Sequence, residues 1–377
     1  MDINTILASA KATGASDIHM VVSSPPVFRI NGHLEPLEDA RPLTSEDMQQ
    51  AFDTLTTERD KESFKKYAEL DFSYTLDDVG RFRCNAARNL GTISLVIRLV
   101  PIHIPTIEDL GLPDLCFKLI QQQRGLIIIS GPTGSGKSTT MAAMINYLNT
   151  IGEDIRSRRI VTIEDPIEYV YSNNNCTITQ REVGSDTYSF AEPLRRVLRQ
   201  DPDIILIGEM RDTETATAAL TIAETGHLVL TTGHASSSTG AIERIIDLFP
   251  QTERHLVQAR LSTLLIGILC QSLVPKVDGS GRTVAVEILM ANSAIRNIVR
   301  EGKIYQVPNT IRTGAQEGMI LMDQSLINLY RAGIIGYENL LSFANSPEDV
   351  DKLFGNNHKA MDQLNIQSQN LVDSQIL

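Results

Sequence analysis

The sequence predicts an α/β chain, a small α+β amino-terminal unit followed by a larger unit built on a parallel sheet. Three observations predict it. Four aliphatic runs, at 126–130, 159–163, 204–207 and 228–232, alternate with helical patterns, as strands buried on both faces do. A glycine-rich turn follows the first run and leads into Met141-Ala142-Ala143-Met144-Ile145, which reads as helix. Before residue 100 the pattern changes to short strand-like pieces separated by charged helical stretches.

The amino-terminal unit, 1–100, opens with an amphipathic helix carrying Ile3, Leu7 and Ala10. Strand-like pieces follow at 18–22, 27–32, 80–85 and 93–98, and Asn31-Gly32 is a hairpin-turn signal. Between them, Ser45 to Ala68 reads as two charged helices. Pro101 and Pro105 bracket a stiff segment, because each fixes φ and biases its predecessor to extended geometry, so 101–111 is read as linker. The larger unit is expected over 112–345, with helices dominating from about 241 and a possible hairpin around 278–281. The Asn-, Gln-, Asp- and Ser-rich end, 346–377, reads as a polar, flexible tail.

Gly131-Pro132-Thr133-Gly134-Ser135-Gly136-Lys137-Ser138-Thr139 fits G-x-x-x-x-G-K-[ST] in full, between strand and helix. Glycines let backbone N–H groups and the helix N-terminus face anionic oxygens. Lys137 is placed to reach β- and γ-phosphates, and the Ser138 hydroxyl to complete a Mg2+ shell. A nucleotide with Mg2+ is therefore the expected ligand.

In open parallel sheets, ligands bind beyond the carboxyl ends of the strands. Here those ends carry Glu164-Asp165, Gly208-Glu209 and Gly233-His234, which is what hydrolysis of a magnesium nucleotide requires. Glu164 is read as the acid that activates water and Glu209 as the acid on the magnesium side, although the spacing also permits the reverse. Asp203 precedes its strand and lies at the wrong end of the sheet. His234 is read as a γ-phosphate or interface sensor. His227 brackets the same strand at its far end, and His19, His33, His103 and His255 are read as structural. Arg81, Arg83 and Arg98 alternate with apolar residues, and by themselves describe an exposed polar sheet face.

Composition narrows the alternatives. The net charge of −12 argues against nonspecific nucleic-acid binding, although as an average it leaves room for a local basic face such as Arg195, Arg196 and Arg199. Cys84, Cys116, Cys176 and Cys270 form no C-x-x-C pair, so reduced thiols are expected, with neither zinc nor a disulfide framework. Met1-Asp2-Ile3-Asn4 shows no export signal. The greasiest stretch, Leu261 to Val274, is short and interrupted by Ser262, Thr263, Gln271 and Ser272, which argues against a bilayer span.

Together these elements resemble the secretion and type IV pilus ATPase superfamily. The matches include Ala15-Ser16-Asp17-Ile18-His19, Arg29-Ile30-Asn31-Gly32, Gly80-Arg81-Phe82-Arg83, the phosphate loop and an Asp box at 162–168. A Walker B region spans 198–212 and a His box 226–232. Ala294-Ile295-Arg296-Asn297-Ile298-Val299-Arg300-Glu301 and the absence of a tetracysteine insert point to the PilT-like retraction branch. The resemblance implies a PAS-like amino-terminal domain, a RecA-like P-loop NTPase domain, a homohexamer, and ATP as the nucleotide bound with Mg2+. It also implies a cytoplasmic motor that acts on an inner-membrane platform protein to retract the pilus. Arg81, Arg83 and Arg98 become plausible phosphate-side arginines, brought over the nucleotide by closure of the amino-terminal domain. The chain departs from the family's Thr-Leu-His-Thr at Thr232-Gly233-His234-Ala235, where the glycine is expected to loosen the backbone under His234. The rivals are an assembly or secretion ATPase of the same superfamily, a nucleotide-regulated scaffold without useful turnover, and a DNA-translocating ring.

Overall fold

The computed structural model describes residues 2–101, 103–150 and 156–354. Two compact units divide the chain. One comprises the residues up to His103 with Ile167–Val170 and Gly184–Asp186. The other comprises Ile104–Pro166, Tyr171–Val183 and the residues from Thr187 onward.

The first unit holds strands β1 (Asp17–Met20), β2 (Val27–Ile30), β3 (His33–Pro36), β4 (Glu69–Leu76), β5 (Gly80–Asn89) and β6 (Thr92–Leu99). They form one antiparallel sheet in the order β3-β2-β1-β6-β5-β4. Strand periodicity sends Phe82, Cys84 and Ala86 of β5, and Ile93, Leu95 and Ile97 of β6, to the buried face. The helices Ile3–Ala12, Ser45–Leu55 and Glu58–Tyr67 contribute Ile6, Leu7, Met48, Phe52 and Phe64 to the same core. Both charged helices begin in capping boxes, Thr44 with Asp47 and Thr57 with Asp60, which fix their starts from the sequence alone. At Asn31-Gly32 the chain reverses with φ of 49° and 85°, pairing Ile30 with His33 in a two-residue hairpin. Strands β3 and β4 were not legible as strands. The first is exposed throughout and the second carries apolar residues that are only half-buried.

The second unit contains β7 (Gly125–Ser130), β8 (Arg159–Glu164), β9 (Thr177–Glu182), β10 (Ile204–Ile207), β11 (Leu228–Thr232), β12 (Leu265–Pro275) and β13 (Arg282–Met290). Their order is β13-β12-β7-β11-β10-β8-β9, parallel except for the β12–β13 pair. Alternate residues of each central strand enter different cores. Ile128, Ile163, Ile205 and Val229 pack on one side, while Ile127, Ile129, Ile160, Leu206 and Leu230 pack on the other. Burial on both faces is why these strands read as largely aliphatic runs.

Two expectations need correction. The hairpin expected around 278–281 is present, but its strands, Leu265–Pro275 and Arg282–Met290, are long and occupy residues expected to be mainly helical. A continuous run such as Leu264-Leu265-Ile266-Gly267-Ile268-Leu269 fits a buried strand as well as a buried helix, and periodicity cannot separate them. The expected polar tail also begins with structure. Pro347–Phe354 is a helix whose Val350 and Phe354, four residues apart, pack with Tyr330, Tyr337 and Leu340. The remainder of that tail, 355–377, lies outside the described residues, as does Ile102 of the linker. Among the described residues, no helix is long and apolar enough to cross a membrane.

Candidate active site

Parallel register aligns the carboxyl ends of β7, β11, β10 and β8. Ile129 lies beside Thr232, Thr231 beside Ile207, and Ile207 beside Ile163. The turns beyond them are bonded to one another. Gly233 N–H donates to the Ile129 carbonyl at 2.9 Å, and Gly208 N–H donates to that of Ile163 at 2.8 Å. The Ser130 hydroxyl donates to the Ala235 carbonyl at 2.6 Å, and the Thr232 hydroxyl donates to the Gly208 carbonyl. One continuous edge therefore carries the phosphate loop, Glu164, Glu209 and His234.

The loop turns out of β7 at Gly131, whose φ of 144° lies in the region that favours glycine. A Cβ there would overlap the Gln271 carbonyl oxygen and come within 2.6 Å of the Ser135 Oγ. Lys137 Nζ donates to the Gly131 and Pro132 carbonyls at 2.8 and 3.0 Å. Those carbonyls hold the buried ammonium at the mouth of the loop, satisfied by groups that an anion can replace. The helix Lys137–Thr150 starts at once, with Thr140 N–H donating to the Gly136 carbonyl at 2.9 Å. Its first N–H groups therefore belong to the loop and not to the helix ladder. Buried Ser135 Oγ has no hydrogen-bond partner. The glycine-lined curve, the buried ammonium and the helix N-terminus fit a polyphosphate. The hydroxyl of Ser138 and the carboxylates of Glu164 and Glu209 are the hard oxygen donors that suit Mg2+.

The two acids are held differently. Glu164 Oε1 accepts from the Thr162 hydroxyl at 2.6 Å and from Gln180 Nε2 at 3.3 Å. Glu209 forms an ion pair with Arg211, and its Oε2 lies 3.2 Å from His234 Nε2. The Glu209 side chain is 13% exposed against 39% for His234, so the carboxylate is the shielded partner. Gly233 sits in a confined place. It stays out of the left-handed region, and a Cβ would sit 3.0 Å from the Ser130 Oγ. It is a point of close approach between the His234 turn and the end of β7.

Arg81 and Arg98 belong to the other unit and are tied within its sheet. Arg98 Nε donates to Asp17 Oδ1 at 2.7 Å across the β1–β6 register pair. Burial pushes the Asp17 carboxyl up, but hydrogen bonds from Ser16 and Arg98 outweigh it and leave it below its ordinary value. Arg81 donates to the Thr75 hydroxyl at 3.3 Å. Asp203 accepts from Arg159 N–H at 2.7 Å, at the start of β8, so its carboxylate works at the opposite edge. His227 Nδ1 lies 3.0 Å from the Thr225 hydroxyl, a local turn contact. Arg195 and Arg196 are paired with Glu192 and Glu214. All four cysteines are free and buried, with burial raising the Cys84 and Cys116 thiols to about 12 and the other two also upward. Among the described residues, no group of three or more His, Cys, Asp or Glu forms a metal-binding cluster.

Sequence reading missed Ser130, Thr162, Gln180 and Gln271. A signal existed for three of them, since each is a polar residue inside or ending an apolar strand. Gln180 lies on a polar edge strand and offers none.

Comparison with known proteins agrees with this geometry. The sequence profile of the family described as Type II/IV secretion system protein matches residues 1–331. The chain is 41% identical over 349 residues to the type IV pilus retraction ATPase PilT of Pseudomonas aeruginosa, covering 93% of this chain and 100% of that protein. It is 40% identical over 325 residues to a twitching motility protein of Neisseria gonorrhoeae, covering 86% of each. The crystal structure of the pilus retraction motor PilT with bound ADP superposes with a TM-score of 0.86 at 42% identity, covering 93% of this chain and 99% of that one.

Proposed function

This chain belongs to the type II/IV secretion system protein family, and from that premise we propose that it is an ATP-hydrolysing motor that retracts a type IV pilus. The observation that carries the proposal is the single laced edge on which the Lys137 loop, Glu164, Glu209 and His234 meet. The likeness to a retraction ATPase supports the direction of work.

In the proposed mechanism, Lys137 exchanges the Gly131 and Pro132 carbonyls for the β- and γ-phosphate oxygens of ATP. Ser138 and Glu209 would hold Mg2+, partly through water, and the bound ion would supply charge neutralisation at the phosphates. Glu164, oriented by Thr162 and Gln180, accepts a hydrogen bond from the attacking water and fixes its line of approach. His234 reports the state of the site through Glu209. Arg81 and Arg98 serve as cations that offset transition-state charge, Arg98 after exchanging Asp17 for phosphate. The working form is a homohexamer in the cytoplasm, docked on a platform protein of the inner membrane.

Phosphate release by the purified protein tests the chemistry. Normal steady-state turnover by Lys137→Ala or Glu209→Gln would sink it. Deleting the gene tests the direction: hyperpiliated, non-twitching cells are expected, whereas bald cells would replace retraction with assembly.

A further inference from the structure

The inference rests on the nucleotide reading above and concerns what shapes the phosphate loop. β12 pairs with β7 so that Cys270 lies beside Ser130, which sets Gln271 next to the first residue of the loop. Gln271 is 2% exposed, and its Nε2 donates to the Ser135 carbonyl at 2.6 Å. The same nitrogen lies 3.2 Å from where a Cβ on Gly136 would be. One side chain from the neighbouring strand thus reaches the middle of the loop.

The consequence follows from peptide geometry. In a planar trans peptide the C=O and N–H point in opposite directions. Holding the Ser135 carbonyl against Gln271 therefore turns the Gly136 N–H away from Gln271. That N–H precedes the first helical residue, where donors are available to an anion. The amide's orientation is chemically determined, since rotating it would place Oε1 against the carbonyl oxygen. The arrangement has a cost: Gln271 Oε1 and Ser135 Oγ are both buried without a partner. A buried polar atom left unpaired is normally destabilising, so a gain elsewhere must offset it.

We propose that Gln271 is a positioning residue that turns the Ser135–Gly136 peptide so that the loop presents an N–H, not a carbonyl, to the nucleotide phosphates. It acts on binding and not on the chemical step.

The test uses the full chain and two variants, with ATP turnover, affinity for a fluorescent ADP analogue and thermal melting measured on each. Gln271→Met keeps the volume and loses the donor. It is expected to raise the KM for ATP and the Kd for the analogue by about tenfold, with kcat changed less than about twofold. Gln271→Glu places an acceptor against the carbonyl when ionised and restores a donor when protonated. Its Kd defect is therefore expected to be large at pH 8 and to shrink towards pH 5.5, while the parent protein shows no such recovery. A parental Kd and KM in Gln271→Met, or a pH-independent defect in Gln271→Glu, would overturn the proposal while leaving the ATPase reading intact. Should Gln271→Met fold poorly, the pH dependence of the other variant decides. Absence of ATP binding by the parent protein would overturn both readings.

Discussion

The two sheets position charged residues by opposite rules. In the seven-stranded sheet the parallel strands β7, β8, β10 and β11 finish at one edge, so Lys137, Glu164, Glu209 and His234 meet although up to 97 positions separate them in sequence (234 − 137 = 97). In the antiparallel sheet, strand ends alternate between edges, and a charged residue meets whatever lies across the ladder. Arg98 meets Asp17 because β1 and β6 pair in that register. Parallel topology gathers chemistry from the ends of apolar runs, whereas antiparallel topology distributes it along a face.

If the parallel edge is the reactive one, its substitutions should dominate. Lys137→Ala is expected to lower ATP turnover by about 10³-fold with little change in melting temperature, as read by phosphate release. Glu164→Gln and Glu209→Gln should each cost roughly 10²–10³-fold, and a magnesium titration separates them. The variant that needs more Mg2+ marks the metal-side acid. A smaller effect is expected at the close approach in the His234 turn. Gly233→Ala crowds the Ser130 hydroxyl and should destabilise by about 1 kcal/mol, and removing that hydroxyl in the same chain with Ser130→Ala should recover part of the loss.

In the antiparallel sheet, the Asp17 carboxylate should answer to acid. Asp17 is held below its ordinary value in the folded chain, so its contribution is present above about pH 4 and fades as pH falls through the folded-state value. Asp17→Asn is therefore expected to lower the melting temperature at pH 7, by an amount that shrinks steadily as the pH is taken below about 4. The smallest effect is reserved for a helix start. Thr44→Ala removes the cap of Ser45–Leu55 and should cost about 1 kcal/mol by denaturant unfolding, with turnover unchanged.

The same contrast explains what was legible in the sequence. The strands at 126–130, 159–163, 204–207 and 228–232 were readable because burial on both faces makes them predominantly aliphatic, and their following residues could be placed at one edge by topology alone. β12 was not readable as a strand, because its aliphatic run fits a buried helix equally well. The partners of the site residues were hidden for another reason. Gln180 reaches Glu164, and Ser130 reaches Ala235, through strand pairings that local sequence does not encode. Gly233 shows the limit from the other side. Its backbone freedom was the obvious reading from sequence, and only the structure adds that the neighbouring Ser130 hydroxyl limits the space for a side chain there.

The four buried cysteines have a practical consequence. Their thiols are shielded, and all four titrate above the ordinary thiol range, so very little thiolate exists near neutral pH. A maleimide dye would therefore find a cysteine introduced on the surface long before it found a native one. The natural chain is already a quiet background for labelling, and the movements of the working motor can be followed by fluorescence without first stripping out its own sulfur.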